Sequence, residues 1–283
     1  MRVALIQMTS SDDPAENLGT MQDMLRRAKA EGAQIALTPE VCNCVSMNRA
    51  HQTAVLRHEG DDPVLAGLRA TAAELDLWVL AGSLALKADP PETRFVNRSV
   101  LIGPDGGIAA RYDKMHMFDV QVSVTETYRE SSGYAPGDRA VLAQTPLATF
   151  GLTICYDVRF AYLYRALAQA GAQVLTVPAA FSPGTGPAHW QPLLQARAIE
   201  TGCYVLAPAQ TGTHTAQSGR PRKTYGHSMV IAPWGEVILD AGIDPGVYCV
   251  DLDLSAVADA RAKVPALTHD RAFTGPFETG PDT

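Results

Sequence analysis

"NRSVLIGPDGGIAARYDK", residues 97–114, decides the fold. Two apolar runs flank Pro-Asp-Gly-Gly, a pairing that reads as two strands joined by a tight hairpin. On the amino-terminal side, strands and helices alternate. "RVALIQM" (2–8) has the continuous apolar character of a strand buried on both faces. A helix follows over 13–33, because Leu18, Met21, Met24, Leu25 and Ala28 share one face and Gly32 can stop it. "QIALTPE" (34–40) is a second strand that ends at Pro39. Residues 62–76 form a second helix, with Pro63 just inside its start, and "LWVLAGSLAL" (77–86) is a third strand. An antiparallel hairpin set into this alternation predicts sheets covered by helices in layers, rather than one all-parallel doubly wound sheet.

The carboxyl-terminal side repeats the mixture. "VLAQTPLATFGLTICYD" (141–157) is a strand pair turning near Pro146. A helix over 162–170 leads to the strand "QVLTVPAAF" (173–181). A further helix covers 190–201, its start delayed because Pro192 is tolerated only in a first turn. "CYVLAPAQT", "GHSMVIAPWGEVILD" and "GVYCVDLDL" complete a strand-rich second half. Regular patterning continues to about residue 262 without a linker, so one domain is expected over 1–262. The Pro-, Gly- and Thr-rich residues 263–283 are expected to be a surface arm, disordered or packed on a partner subunit.

With 283 residues and 46% hydrophobic content, the chain has enough material for a sizeable core. Its net charge of −7 argues against nucleic acid as a partner. No apolar run approaches the ~18 residues of a membrane span, and the first residues lack the features of a signal peptide. Five cysteines without dense spacing suit a reducing compartment, so a cytoplasmic protein is expected. The Asn97-Arg-Ser sequon is then idle. Neither nucleotide-binding glycine motif is present.

Cys203 and Cys249 read as small core residues. Cys42 and Cys44 lack the further ligands that a metal site needs. Cys155 differs: in "LTICYDVRF" (152–160) it lies where an apolar strand meets Tyr156, Asp157 and Arg159. Ligands bind at the carboxyl ends of strands in open α/β architectures. Glu40 follows the strand "QIAL", and Lys114 follows the second strand of the opening hairpin. Each alone reads as a solvated charge. Together, a thiol, a carboxylate and an ammonium suffice for nucleophilic attack on an acyl carbon.

"TPE", "YDKMHMFD" and "LTICYDVRF", in this order, resemble the three motifs of the nitrilase, or carbon–nitrogen hydrolase, superfamily over about residues 1–262. The resemblance implies a four-layer α-β-β-α sandwich, a Glu40–Lys114–Cys155 triad and pairing of sandwiches into a homodimer or higher homo-oligomer. It also implies no metal and no organic cofactor. "ESSGYAPG" matches the position of a second glutamate, which is Glu130 and not Glu126. Residues 178–212 and 225–237 look like the branch that holds deaminated glutathione amidase and the ω-amidases. Pro192 departs from that branch, as does "DVQVSVTETYRE" (119–130), which lacks its glycines and prolines.

The resemblance implies hydrolysis of a small carboxylate-bearing amide through a thioester on Cys155, with Lys114 and the Tyr156 N–H holding the oxyanion. Arg159 is the nearest candidate for the substrate carboxylate, since guanidinium and carboxylate pair bidentately; the alternative is a salt bridge with Asp157. Thr185 is a further candidate contact. N-carbamoyl hydrolysis and nitrile hydrolysis use the same triad. Two other classes stay open, a Cys–His hydrolase using His116 or His189 and a non-catalytic binding protein on this fold.

Overall fold

A computed structural model describes residues 1–122, 127–217 and 221–276. Glu126, part of the 119–130 loop and the end of the expected arm (277–283) fall outside these.

The first sheet holds β1 (Arg2–Gln7), β2 (Ile35–Leu37), β3 (Trp78–Lys87), β4 (Phe95–Ile102), β5 (Ile108–Asp113) and β16 (Gly246–Asp251) in the order β16-β1-β2-β3-β4-β5. Two short hairpins stand apart, β6 (Asp119–Gln121) with β7 (Thr127–Arg129) and β12 (Thr211–His214) with β13 (Arg222–Tyr225). The second sheet holds β8 (Val141–Gln144), β9 (Thr149–Leu152), β10 (Val174–Thr176), β11 (Tyr204–Ala207), β14 (Met229–Ile231) and β15 (Val237–Asp240) in the order β15-β14-β11-β10-β9-β8. Each sheet has a parallel centre and antiparallel edges, β1-β2-β3 in one and β9-β10-β11 in the other. The opening hairpin is the β4–β5 pair, with Arg98 opposite Asp113.

Side-chain alternation makes the layers. Val3 and Leu5 of β1 join a core shared with Phe150 and Leu152 of β9. Ala4 and Ile6, which point the other way, pack with Met21 and Leu25 of α1 (Pro14–Ala30) and with Leu65 and Leu68 of α3 (Pro63–Leu75). Between these two helices lies the short α2 (Arg49–Val55). The second sheet is covered by α4 (Ala161–Gln169) and α5 (Gly186–Thr201), which contribute Leu163, Leu167, Trp190 and Leu194. Helix, sheet, sheet and helix therefore stack as the four expected layers. Strands buried on both faces read as unbroken apolar runs, and each large apolar side chain so buried stabilises by roughly 1.5–3 kcal/mol.

The delayed start expected for the 190–201 helix is corrected: α5 begins at Gly186, with Pro187 in its first turn and Pro192 inside. Pro192 cannot donate to the Ala188 carbonyl, but both residues are exposed, so water can meet that carbonyl. The last helix, α6 (Ser255–Lys263), is followed by a short 3₁₀ turn over Ala266–Thr268. The start of the arm lies on α4 of its own chain, where Arg165 and Gln169 donate to the carbonyls of Ala266 and Leu267, each at 2.9 Å.

Candidate active site

Glu40, Lys114 and Cys155 come from three strand ends and meet in one pocket, whose wall also holds Asn97, Glu130 and Tyr156. Each is held by local backbone chemistry. The turn carrying Glu40 is clamped to β3: Gly82 N–H donates to Thr38 Oγ1 (2.9 Å) and Val41 N–H to Ser83 Oγ (2.8 Å). Gly82 must be glycine, since a Cβ there would lie 1.8 Å from the Thr38 carbonyl oxygen. Lys114 is held at the end of β5 by its N–H bond to the Asn97 carbonyl (2.9 Å).

Cys155 opens a 3₁₀ turn directly after β9, with φ of 47°. That left-handed conformation is strained for a non-glycine residue and turns the side chain out of the strand direction. Asp157, fully buried, holds the elbow. Its carboxylate accepts from Ile154 N–H (2.8 Å), Tyr112 Oη (2.6 Å) and His116 N–H (3.1 Å). Its Oδ1 also lies 2.6 Å from His116 Nδ1. The Cys155 N–H goes to the Pro178 carbonyl (2.9 Å). Tyr156 N–H precedes the first bond of the 3₁₀ ladder, made by Asp157 N–H to the Ile154 carbonyl, so it is placed to donate outward.

The charges interlock. Lys114 Nζ donates to Glu40 Oε1 at 2.8 Å and to both oxygens of Glu130 at 2.9 Å. Glu40 Oε1 also accepts from Asn97 Nδ2 (2.9 Å), and Oε2 from Ala180 N–H (2.8 Å). Glu130 Oε2 accepts from Phe118 N–H at 2.6 Å. The Cys155 thiol lies within hydrogen-bonding reach of Glu40 and in the field of Lys114. Burial works against ionisation of Glu40, but the Lys114 and Arg222 charges outweigh it and hold its carboxyl below the ordinary value. Lys114 is likewise desolvated, yet Glu130 and Glu40 push its pKa well up. Burial, joined by the Glu40 charge, pushes the Cys155 thiol well up. These directions keep Glu40 ionised, Lys114 charged and Cys155 a thiol at neutral pH.

Thr185, at the start of α5, is also in the wall. Phe118 lines it with Tyr128 and Tyr156, ring centroids 5.0 and 5.1 Å apart. Arg159 lies one step back, over the rings of the wall residues Tyr156 and Phe181 at 5.7 Å each. The alternative salt bridge of Arg159 with Asp157 does not form: Asp157 faces Tyr112 and His116, and Arg159 donates to His189 Nδ1 at 3.2 Å. Both histidines of the Cys–His reading are thus engaged elsewhere, and neither is in the wall. Asn97 and Arg222 belong to the wall and escaped the residue-by-residue reading. Arg222 donates to the Ala180 carbonyl (2.8 Å) and, like Arg159, has no carboxylate partner among the described residues. Asn97 sits on β4, one strand removed from the Glu40 turn, and its one sequence signal is alternation along a buried strand. Arg222 sits in a hairpin with no such pattern.

Cys42 and Cys44 are buried, their thiols both pushed up to about 12 by burial. No group of three metal-ligating side chains occurs among the described residues.

A thiol, an ammonium and carboxylates converging at the strand ends of an α-β-β-α sandwich define a hydrolase acting on an acyl carbon. The family model described as "Carbon-nitrogen hydrolase" matches residues 2–262, and the chain belongs to that family. It is 39% identical to the deaminated glutathione amidase of Synechocystis sp. (strain PCC 6803 / GT-S), over 94% of this chain and 96% of that one. It is 35% identical to ω-amidase NIT2 of Bos taurus, over 96% and 95%. The crystal structure of the C. elegans NitFhit protein superposes with a TM-score of 0.86 at 34% identity. That match covers 95% of this chain and 65% of the longer C. elegans chain. The protein is an amidase of the nitrilase superfamily.

Proposed function

We infer that Glu40, Lys114 and Cys155 form the catalytic triad, with Glu130 as a fourth member, and that the substrate is a small amide bearing a carboxylate. The observation that carries this is the bridge of Lys114 to both Glu40 and Glu130 beside the thiol. Sulfur attacks the amide carbonyl as its proton passes to Glu40. The oxyanion is held by the Lys114 ammonium and the Tyr156 N–H, each such donor being worth ~2.7–4 kcal/mol of barrier. Glu40 then protonates the leaving nitrogen, the C–N bond breaks, ammonia departs and a thioester remains. Water attacks the thioester as Glu40 takes its proton, and return of a proton to sulfur releases the acid product. Glu130 keeps Lys114 charged and oriented.

Deaminated glutathione and the ω-amides of dicarboxylates are the substrates this reading favours, because guanidiniums without a salt-bridge partner among the described residues, Arg222 in the wall and Arg159 against it, stand ready for a carboxylate. A simple nitrile would use the same triad and needs no such cation, whereas an N-carbamoyl amino acid also carries a carboxylate and is told apart only by its turnover. Residues 1–262 are the catalytic domain, working as a homodimer or higher homo-oligomer in the cytoplasm. Among the described residues no helix is long and apolar enough to cross a membrane. The test is ammonia release from α-ketoglutaramate, deaminated glutathione, N-carbamoyl amino acids and simple nitriles. Turnover confined to the last two groups would overturn the substrate assignment.

Two predictions follow from the charges. Arg159→Ala and Arg222→Ala should each raise KM for carboxylate-bearing amides about 10- to 100-fold, the worth of a hydrogen bond to a charged group. Neutral amides of similar size should be little affected by Arg159→Ala; equal effects on both substrate types would remove its role. In a kcat/KM profile from about pH 4 to about pH 10, the acid limb should lie at or below the usual carboxylate range, because Glu40 must be ionised and its pKa is lowered. The alkaline limb should lie above the usual thiol value, because the Cys155 and Lys114 pKa values are both raised. A step near 6.5 would instead point to an imidazole.

A further inference from the structure

We propose that Asn97 is a positioning residue of the reaction: with Lys114 it saturates Glu40 Oε1, so that the carboxyl takes and returns its proton through Oε2. This rests on Glu40 being the proton carrier. Asn97 lies on β4 and is 2% exposed. Its Nδ2 donates to Glu40 Oε1 at 2.9 Å and reaches Glu130 Oε1 at 3.5 Å. Lys114 Nζ donates to the same Glu40 oxygen at 2.8 Å. A carboxylate oxygen offers two lone-pair directions, and on Oε1 both are filled. Among the described residues Oε2 receives the Ala180 N–H alone, at 2.8 Å, and keeps one lone pair for a mobile proton.

The amide orientation is forced. Reversing it would set the Oδ1 carbonyl against two carboxylates while leaving Nδ2 without them. As placed, Oδ1 is buried and without a hydrogen-bond partner. A residue serving only to fill the core would not carry an unsatisfied carbonyl, since an apolar side chain of the same shape fills that space at lower cost. The orphan is accepted because the amide's other end gives a donor to the carboxylates without adding charge. A second lysine there would compete with Lys114, whereas a neutral donor polarises Glu40 and leaves one ammonium for the oxyanion. The same contact explains the idle sequon: the Asn97 side chain is enclosed in the site and closed to a glycan.

The effect is testable on the purified full chain, by ammonia release from whichever of α-ketoglutaramate and deaminated glutathione turns over. In Asn97→Leu, kcat should fall about 10- to 100-fold, as for loss of an outer partner that orients a reacting group, with KM changed less than about threefold. The acid limb of kcat/KM should move about one unit higher, because Glu40 loses a donor that favours its charged form. Asn97→Ser, smaller and still able to donate, should keep the limb closer to that of the parent chain, and Asn97→Ala reads the loss of the donor if Asn97→Leu does not fold. A parent-like limb with kcat within about threefold in Asn97→Leu, or in Asn97→Ala if the leucine variant fails, overturns the proposal. Glu40→Gln separates the two readings. Retained turnover there removes Glu40 as proton carrier, whereas an inactive Glu40→Gln beside a parent-like Asn97→Leu removes only the role given to Asn97.

Discussion

Cys155→Ala should lose on the order of 10⁵–10⁶-fold in turnover while melting within a few degrees of the parent chain. The rate effect is large because removing the nucleophile of a covalent mechanism costs about as much as removing its whole catalytic set. The stability effect is small for separate reasons. The change deletes one sulfur from a site open to the pocket, and alanine accepts φ of 47° no worse than cysteine. The Asp157 bonds that hold the elbow use backbone N–H groups and other side chains, so they survive. Ammonia release and a circular-dichroism melt on the same preparation check both halves. Turnover near the parent value in a folded variant would refute the nucleophile assignment, and a thioester trapped on Cys155 by mass spectrometry would support it directly.

Lys114→Met should be the substitution most damaging to stability, and it should lower the rate as well. The ammonium is 2% exposed and sits between two carboxylates. Without it, Glu40 and Glu130 face each other across a desolvated gap, and breaking a buried pair in this way costs roughly 3–5 kcal/mol. Loss of the oxyanion donor removes about 10²–10³-fold in kcat on top. The sign with pH is specific. In the variant, Glu40 loses the larger of the two charges that hold its pKa down and its hydrogen bond to Lys114, so burial is expected to outweigh the remaining Arg222 charge and raise the pKa above its unfolded value. A carboxyl with a raised folded pKa favours folding when protonated, so the variant should recover stability as pH falls from neutral towards about 5. In the parent chain Glu40 has a depressed pKa, and its contribution is lost on acidification. Opposite slopes of melting temperature against pH in the two proteins are the expected result; parallel slopes would mean that the two carboxylates do not depend on Lys114.

The layered fold was legible because strands buried on both faces leave unbroken apolar runs and the Pro-Asp-Gly-Gly hairpin cannot belong to an all-parallel sheet. The boundaries that slipped were those where solvent decides. Pro192 was read as excluding a helix interior, yet on the exposed side of α5 the orphaned Ala188 carbonyl is open to water. The α6 helix, whose apolar residues are alanines apart from Val257, gave little periodic signal. In the site, Glu40, Lys114 and Cys155 were legible because each breaks the apolar pattern at a strand end, and Glu130 only through its resemblance. Asn97 was hidden because asparagine on a buried strand has many uses, and Arg222 because a hairpin outside the main sheets carries no periodicity.

Local order along the chain determined which groups stand at strand ends and, through them, the chemistry available: a thiol, a base and a cation for acyl transfer. Tertiary structure alone decided how those groups share charge. The fate of the Arg159 guanidinium, the partners of Asp157 and the two donors on one oxygen of Glu40 depend on side chains dozens of residues apart, brought within hydrogen-bonding distance by the packing of two sheets. Pairing energies and pKa directions follow from such distances and from burial, which sequence neighbours do not encode.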